Sequence, residues 1–202
     1  MVMTQKNSLL RISSASWVLE IRKAEIDRIM DERSLPPGIF VRRMKRRYVQ
    51  REGLAYLKFA LVEEKKLSPR FRKEVLRKMS AENCFRWEDE ILTIDLTPLR
   101  TKIEGRLRRL QRAESMVVEK STILSGEPCI KGTRMPVYMV AAMIDAGATI
   151  DGLVRNYPSL SAALIESACD FASAYPRKGR LTGPSWGKFR QKGGAIVPKR
   201  ST

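Results

Sequence analysis

Histidine is absent from the 202-residue chain. With it go the commonest general base, the commonest metal ligand and every Ser-His or Cys-His nucleophile pair, which argues against most enzyme classes at the outset. Cysteine is scarce. Cys84, Cys129 and Cys169 are spaced like neither a zinc knuckle nor a disulfide framework, and they read as reduced, buried thiols. Aromatic residues are 7% of the chain, so no single core is large, and two small domains plus a tail suit this length better than one fold. No apolar run approaches the roughly 18 residues of a membrane span, and no signal-peptide core opens the sequence. A cytoplasmic protein without membrane contact is expected. Acid is missing from one stretch altogether: Arg177 to Thr202 holds eight Lys and Arg and no Asp or Glu.

What is present is positive charge, unevenly spread. The formal net charge is +17 and the isoelectric point about 10.2. Residues 1–80 carry 20 Lys and Arg against nine Asp and Glu, 81–120 carry eight of each, and 121–176 carry three against five. Such an excess points to a polyanionic partner, because neutralised phosphates release condensed counterions. A merely solvated surface would intersperse the signs. Two basic ends around a neutral middle imply either two anionic surfaces or one nucleic acid touched twice.

Ser13 to Glu20 and Lys23 to Glu32 read as two short helices, the second with Ile26, Ile29 and Met30 at helical spacing. Pro36, Pro37 and Gly38 end the pair. From Ile39 to Gln50, β-branched and aromatic residues flank Arg42, Arg43, Lys45, Arg46 and Arg47, the pattern of a hairpin with a charged tip. A helix over about 51–64 follows, apolar at Leu54, Leu57, Ala60 and Leu61, and Ser68-Pro69 opens another with Phe71, Val75, Leu76 and Met79 inward. Helix, helix, basic hairpin, helix resembles the order of a MerR-like winged helix-turn-helix. That order would put Arg22, Lys23 and Arg28 against base edges and the five hairpin cations against phosphate. Five cations within six residues repel one another unless an anion relieves them.

A second hairpin is expected over Phe85–Leu96. Its carboxylates, Glu88, Asp89, Glu90 and Asp95, are the only set a metal-dependent nuclease would use, although acidic turn residues are the commoner explanation. Thr97-Pro98 then opens a helix with Leu99, Ile103, Leu107 and Leu110 in one stripe, which fits packing on its own domain or a dimer seam.

From Ile123, glycines and prolines at 126, 128 and 132 mark turns. Pro136 precedes a helix with Val137, Val140, Ala141 and Ile144 inward, and Gly147 takes the position that ends it. Ile150 to Asn156 forms a short helix, and Ser161 caps a third through Leu164, Ile165, Ala168, Phe171 and Ala172. The string Gly-Glu-Pro-Cys-Ile-Lys-Gly-Thr-Arg-Met-Pro-Val at 126–137, with Asp-Ala-Gly at 145–147 and Asn-Tyr-Pro-Ser-Leu at 156–160, resembles the domain-of-unknown-function 433 family over about Ile123 to Arg180. The resemblance implies a VapB-like antitoxin of a type II toxin-antitoxin pair: a helical, helix-turn-helix-like domain, association with a PIN-like ribonuclease toxin, and binding to the shared operator. Tyr175 departs from it, standing where the family pattern places histidine before Pro176 and Arg177. The turn at Gly132-Thr133-Arg134 fits either a partner contact or a structural turn in which Arg134 pairs locally.

The basic tail has little to bury and is expected to be disordered when free. Against a nuclease that holds metal with carboxylates, Arg177, Lys178 and Arg180 would plug or steer, and Trp186 and Phe189 would anchor. A second, nonspecific DNA arm is the competing reading. The whole reads as mainly α with short β-hairpins: a winged helix-turn-helix-like DNA-binding domain (1–80), a hairpin and connecting helix (81–120), a three-helix antitoxin-family domain (121–176) and a flexible basic tail (177–202). The expectation is a non-catalytic antitoxin, without cofactor or metal, that binds a toxin and double-stranded operator DNA as a homodimer or toxin-antitoxin hetero-oligomer. The alternative is a DNA-binding regulator with no toxin.

Overall fold

The computed structural model describes residues 8–32, 35, 37–64, 66–68, 70–71, 74–75, 84–87, 92–122, 124–177, 189–192 and 195–198. Lys178, Arg180, Trp186, Glu88, Asp89, Glu90, Leu76 and Met79, named from sequence, lie outside them. The chain is mainly helical with short strands and divides into two compact units, Met1–Leu107 and Arg108–Thr202.

In the first unit a short strand, β1 (Leu9–Arg11), leads directly into α1 (Ile12–Leu19), and three residues later α2 (Lys23–Asp31) begins. Two further strands, β2 (Phe40–Arg43) and β3 (Arg46–Gln50), form a hairpin, and β1 adds to its free edge to give the order β1-β3-β2, antiparallel throughout. The added strand was not expected from the sequence. Leu10 lies opposite Val49 and is buried with it, so β1 uses one apolar side chain to close the sheet. Ile26 and Ile29 of α2 are buried as their spacing predicts, each contributing about 1.5–3 kcal/mol against exposure.

A single 3-10 turn, Arg51–Gly53, leads into α3 (Leu54–Val62), which buries Leu54, Ala55, Leu57, Phe59 and Ala60. Leu61, expected inward, is only half-buried, and Phe59 takes its place in the core. Gly53 is needed at this joint: a Cβ there would lie 2.8 Å from Ile39 Cγ2 and 3.2 Å from the Ile39 Cα. Arg70, Phe71, Glu74 and Val75 are helical, and Ser68 Oγ accepts from the Phe71 N–H at 3.3 Å, as an N-cap should. The second hairpin is β4 (Cys84–Trp87) with β5 (Leu92–Asp95), antiparallel with Phe85 opposite Ile94.

Helix α4 (Thr97–Ser115) carries the boundary between the units. Of the expected stripe, Leu99 is half-buried, whereas Ile103, Leu107 and Leu110 are buried within the chain, as is Ala113. These side chains are therefore packed already and are not left over as a dimer seam.

The second unit holds the end of α4, a two-residue ladder of β6 (Val117–Val118) with β7 (Cys129–Ile130), then α5 (Val137–Asp145), α6 (Ile150–Asn156) and α7 (Ala162–Ala174). Its core joins Ala113, Ile130, Val140, Met143, Leu153, Ile165 and Phe171. The inward row of α5 is Val137, Val140 and Met143, with Ala141 and Ile144 half-buried, so the expected face is turned by part of a residue step. Helix ends fall where the capping residues put them. Gly147 has φ 94°, its N–H donates to the Ile144 carbonyl and that of Ala148 to the Met143 carbonyl, which is the paired Schellman closure. Thr149 and Ser161 cap α6 and α7 through their hydroxyls. Within the tail, expected to lack structure, β8 (Phe189–Lys192) pairs antiparallel with β9 (Ala195–Pro198), Phe189 opposite Pro198.

Candidate nucleic-acid interface

Unit 1 brings its cations together on the β2-β3 hairpin. The register places Arg42 opposite Arg47 and Arg43 opposite Arg46, so like charges stand directly across the ladder, an arrangement that costs stability by itself. Side chains alternate between faces. Arg42 and Arg47 share the face of Phe40 and the buried Val49, whereas Arg43 and Arg46 share the outer face with Val41 and Tyr48. The β1 partner of Tyr48 is Arg11, which adds a third exposed cation to that outer face. Sequence reasoning missed Arg11 because β1 was missed. The apolar Leu9-Leu10 before it was the available signal.

The five hairpin cations differ in what holds them. Arg47 reaches α2, 3.0 Å from Asp31 and 3.9 Å from Asp27, and so ties the hairpin to that helix. Arg42, Arg43, Lys45 and Arg46 are exposed and make no ion pair among the described residues. The loop between them is two residues long, with Met44 at φ 45° and Lys45 at φ 61°, both in the left-handed region that Gly, Asn and Asp usually fill in such turns. Met44 is 98% exposed.

The three α2 residues expected to reach bases have different surroundings. The Arg22 N–H donates to the Glu25 carboxylate at 3.3 Å and its guanidinium to the same group at 2.9 Å, closing the first turn of the helix. Glu25 is held below the usual carboxylate range by that guanidinium. Lys23 is exposed with no ion pair among the described residues. Arg28 is engaged from two sides: it donates to Glu32 at 2.7 Å and, through both terminal nitrogens, to Glu64 at 2.8 and 2.5 Å. These carboxylates hold its guanidinium well above its ordinary value. Arg28 thus clamps α2 to Glu64, two residues past α3, and the exposed cations of α2 and the hairpin with no ion pair among the described residues are Lys23, Arg42, Arg43, Lys45 and Arg46.

The turn between α1 and α2 is itself built from distant residues. Glu20 ends α1 in the left-handed region, at φ 53°. Arg106 donates to the Glu20 carboxylate at 2.7 Å and to the Trp17 carbonyl at 2.6 Å, and its guanidinium carbon lies 4.4 Å from the Trp17 ring centroid. Lys102 is 3.4 Å from the same carboxylate, and Lys58 donates to the Leu19 carbonyl at 2.5 Å. Three cations thus meet the negative end of one helix. Arg106, more than Lys102, lowers the Glu20 pKa, while burial lowers that of Lys58.

In the second unit the start of the tail is fastened. Arg177 lies 3.3 Å from Glu127 and its guanidinium carbon 5.9 Å from the Tyr138 ring. The Tyr138 hydroxyl donates to the Tyr175 carbonyl at 2.8 Å, and the Tyr175 hydroxyl donates to Glu114. Tyr175, the departure from the family pattern, therefore does structural work with its hydroxyl. Asp170, buried on α7, accepts from Arg109 through both oxygens, and this raises the Arg109 pKa. The turn at Gly132 is locked by Thr133, whose hydroxyl donates to the Ile130 carbonyl and accepts the Met135 N–H. Arg134 beside it is exposed without an ion pair among the described residues; of the two readings of this turn, local pairing of Arg134 is not seen among them. Cys129 and Cys169 are free thiols whose pKa values are raised by burial.

Of the acidic set proposed for a metal, Asp95 is described. Its carboxylate accepts the Thr97 N–H at 2.8 Å at the start of α4, and its pKa is lowered by the Thr97 side chain first and by that N–H second. Among the described residues, no helix is long and apolar enough to cross a membrane.

Fold and geometry define the class: a helix-rich protein of two units, the first presenting a basic hairpin whose Arg42, Arg43, Lys45 and Arg46 make no ion pair among the described residues. The model of the family described as "Protein of unknown function (DUF433)" matches residues 117–172, within the second unit. The "Uncharacterized protein y4eO" of Sinorhizobium fredii is 31% identical over 186 residues, covering 85% of this chain and 84% of the relative. That span is longer than either unit, so the relative shares both. The chain therefore belongs to the y4eO family, whose second unit carries the DUF433 domain. No solved structure matches it.

Proposed function

We propose that the protein is a non-catalytic antitoxin-type repressor that holds duplex DNA with unit 1 and a protein partner with unit 2 and the tail. In this reading α1 and α2 form a helix-turn-helix and β2-β3 its wing. The observation that carries it is the cross-strand register of the hairpin: two Arg–Arg pairs face each other without enough carboxylate to offset them, and regularly spaced phosphates supply what is missing. Base contact falls to the exposed start of α2, at Lys23, since Arg28 is taken up by Glu32 and Glu64 and Arg22 by Glu25. The partner is a PIN-like toxin, a reading supported by the resemblance of the second unit and by the acid-free tail. Catalysis is not part of it, given the absence of histidine and the engagement of Asp95 with the Thr97 N–H.

The experiment replaces Arg42, Arg43 and Arg46 by Ala and leaves Arg47, which belongs to the fold. Affinity for duplex DNA should fall, and the slope of log K against log salt should shallow by up to about 2.7 if all three reach phosphate. The melting temperature should stay within a degree or two. Unchanged affinity at physiological salt defeats the assignment. Replacing Arg47 alone should lower the melting temperature by freeing Asp27 and Asp31.

A further inference from the structure

The tip of the hairpin has a residue that folding does not ask for. A two-residue turn with positive φ at both central positions is best served by Asn-Gly or Asp-Gly, yet Met44 and Lys45 occupy it at 45° and 61°. Both pay for their Cβ in that region. Met44 is also 98% exposed, so its thioether chain buries nothing. The other exposed large apolar side chains among the described residues, Val62 at 48% and Leu124 at 51%, are about half covered. A flexible, unbranched apolar side chain is thus carried at the apex of the wing, inside a collar of Arg42, Arg43, Lys45 and Arg46.

We propose that Met44 is a wedge that enters the minor groove of duplex DNA and leans against the base-pair edges or between them, while the collar engages the phosphates of both strands. This rests on the DNA-binding reading of unit 1 and adds what the wing touches. A groove about 6 Å wide excludes a helix, whereas the apex of a two-residue turn leads with a single side chain. Apolar wedges of this chemistry unstack a base step and bend the duplex away from the groove. The sites chosen should therefore place a pyrimidine–purine step, TA or CA, beneath the wing, because such steps open at the lowest cost. An anionic bilayer is the other surface that takes an apolar tip in a basic collar. Duplex DNA is favoured because Arg47 ties the hairpin to α2 through Asp27 and Asp31, whose exposed first turn carries Arg22 and Lys23.

The test uses the full-length protein and a duplex that the wild type selects from a random 40-base-pair pool. Met44→Gly relieves the turn and should melt no lower than wild type, yet bind the selected duplex roughly tenfold more weakly and lose its bend in a circular-permutation assay. Met44→Leu should keep both binding and bend. A selected duplex that Met44→Gly binds and bends as wild type does overturns the wedge and leaves the DNA-binding reading intact. Failure of the wild type to select any duplex overturns both. Binding to phosphatidylglycerol vesicles that disappears in Met44→Gly, with DNA binding unaltered, assigns the tip to a membrane surface and overturns the wedge.

Discussion

Gly53 and Ile39 show how little room single residues leave in the first unit. The Ile39 side chain occupies the space a Cβ at 53 would fill, at 2.8 Å, and Ile39 is itself 6% exposed, so it has nowhere to retreat. Gly53→Ala should cost about 1–3 kcal/mol by overpacking, seen as a drop of several degrees in the melting transition. An unchanged midpoint would mean that the 3-10 turn can move aside. At this scale the cations of the hairpin were legible, because five of them fall within six residues. Which of them are free was not, since the partners are set by folding: Glu64 lies 36 residues from Arg28, and Arg47 finds its carboxylates on α2. Met44 escaped notice for a related reason. In sequence it is one apolar residue among charges, and only the backbone φ and the exposure mark it.

Local rules carried much of the way in placing the elements. Helices α2, α6 and α7 fall where the sequence reading put them, α7 with its Ser161 cap, and the basic hairpin turns within the predicted stretch. β1 was illegible because three residues are too few to show alternation, and its stability comes from pairing with β3. The tight turn after α1 was legible as a break but not as a structure, because its left-handed Glu20 is held by Arg106 and Lys102 from another helix. This clasp titrates. Glu20 has its folded pKa below the ordinary value of 4.5, so its contribution is complete above that value and is lost as pH falls through the lowered one. Thermal melts from pH 6 to pH 3 should show Glu20→Gln a few degrees below wild type at the upper end, with the gap closing in acid. A gap that persists at pH 3 would show that the carboxylate's charge is not what holds the turn. Comparing the two chains at each pH removes the parallel contributions of Glu25 and Asp95.

Over the whole molecule the charge is divided between the hairpin unit and the tail, and each excess has its own test. Arg177 is fastened to Glu127 and Tyr138. Removing residues 178–202 should then leave the melting of that unit within a degree or two while abolishing inhibition of a co-produced PIN-like toxin. A truncated chain that inhibits fully would exclude the tail as the inhibitory segment, and one that fails to fold would show that the fastening at Arg177 is insufficient. The sequence reading put the end of the first part near residue 80. The Arg106 clasp moves it, since the α1-α2 turn draws its support from 26 residues farther on, and the boundary between the units falls inside α4. For recombination between genes this leaves no clean joint. A cut anywhere from 80 to 105 leaves the α1-α2 turn without Arg106, and a cut within α4 interrupts the helix that carries the buried Ile103, Leu107, Leu110 and Ala113. In the relative, too, the match runs across both parts.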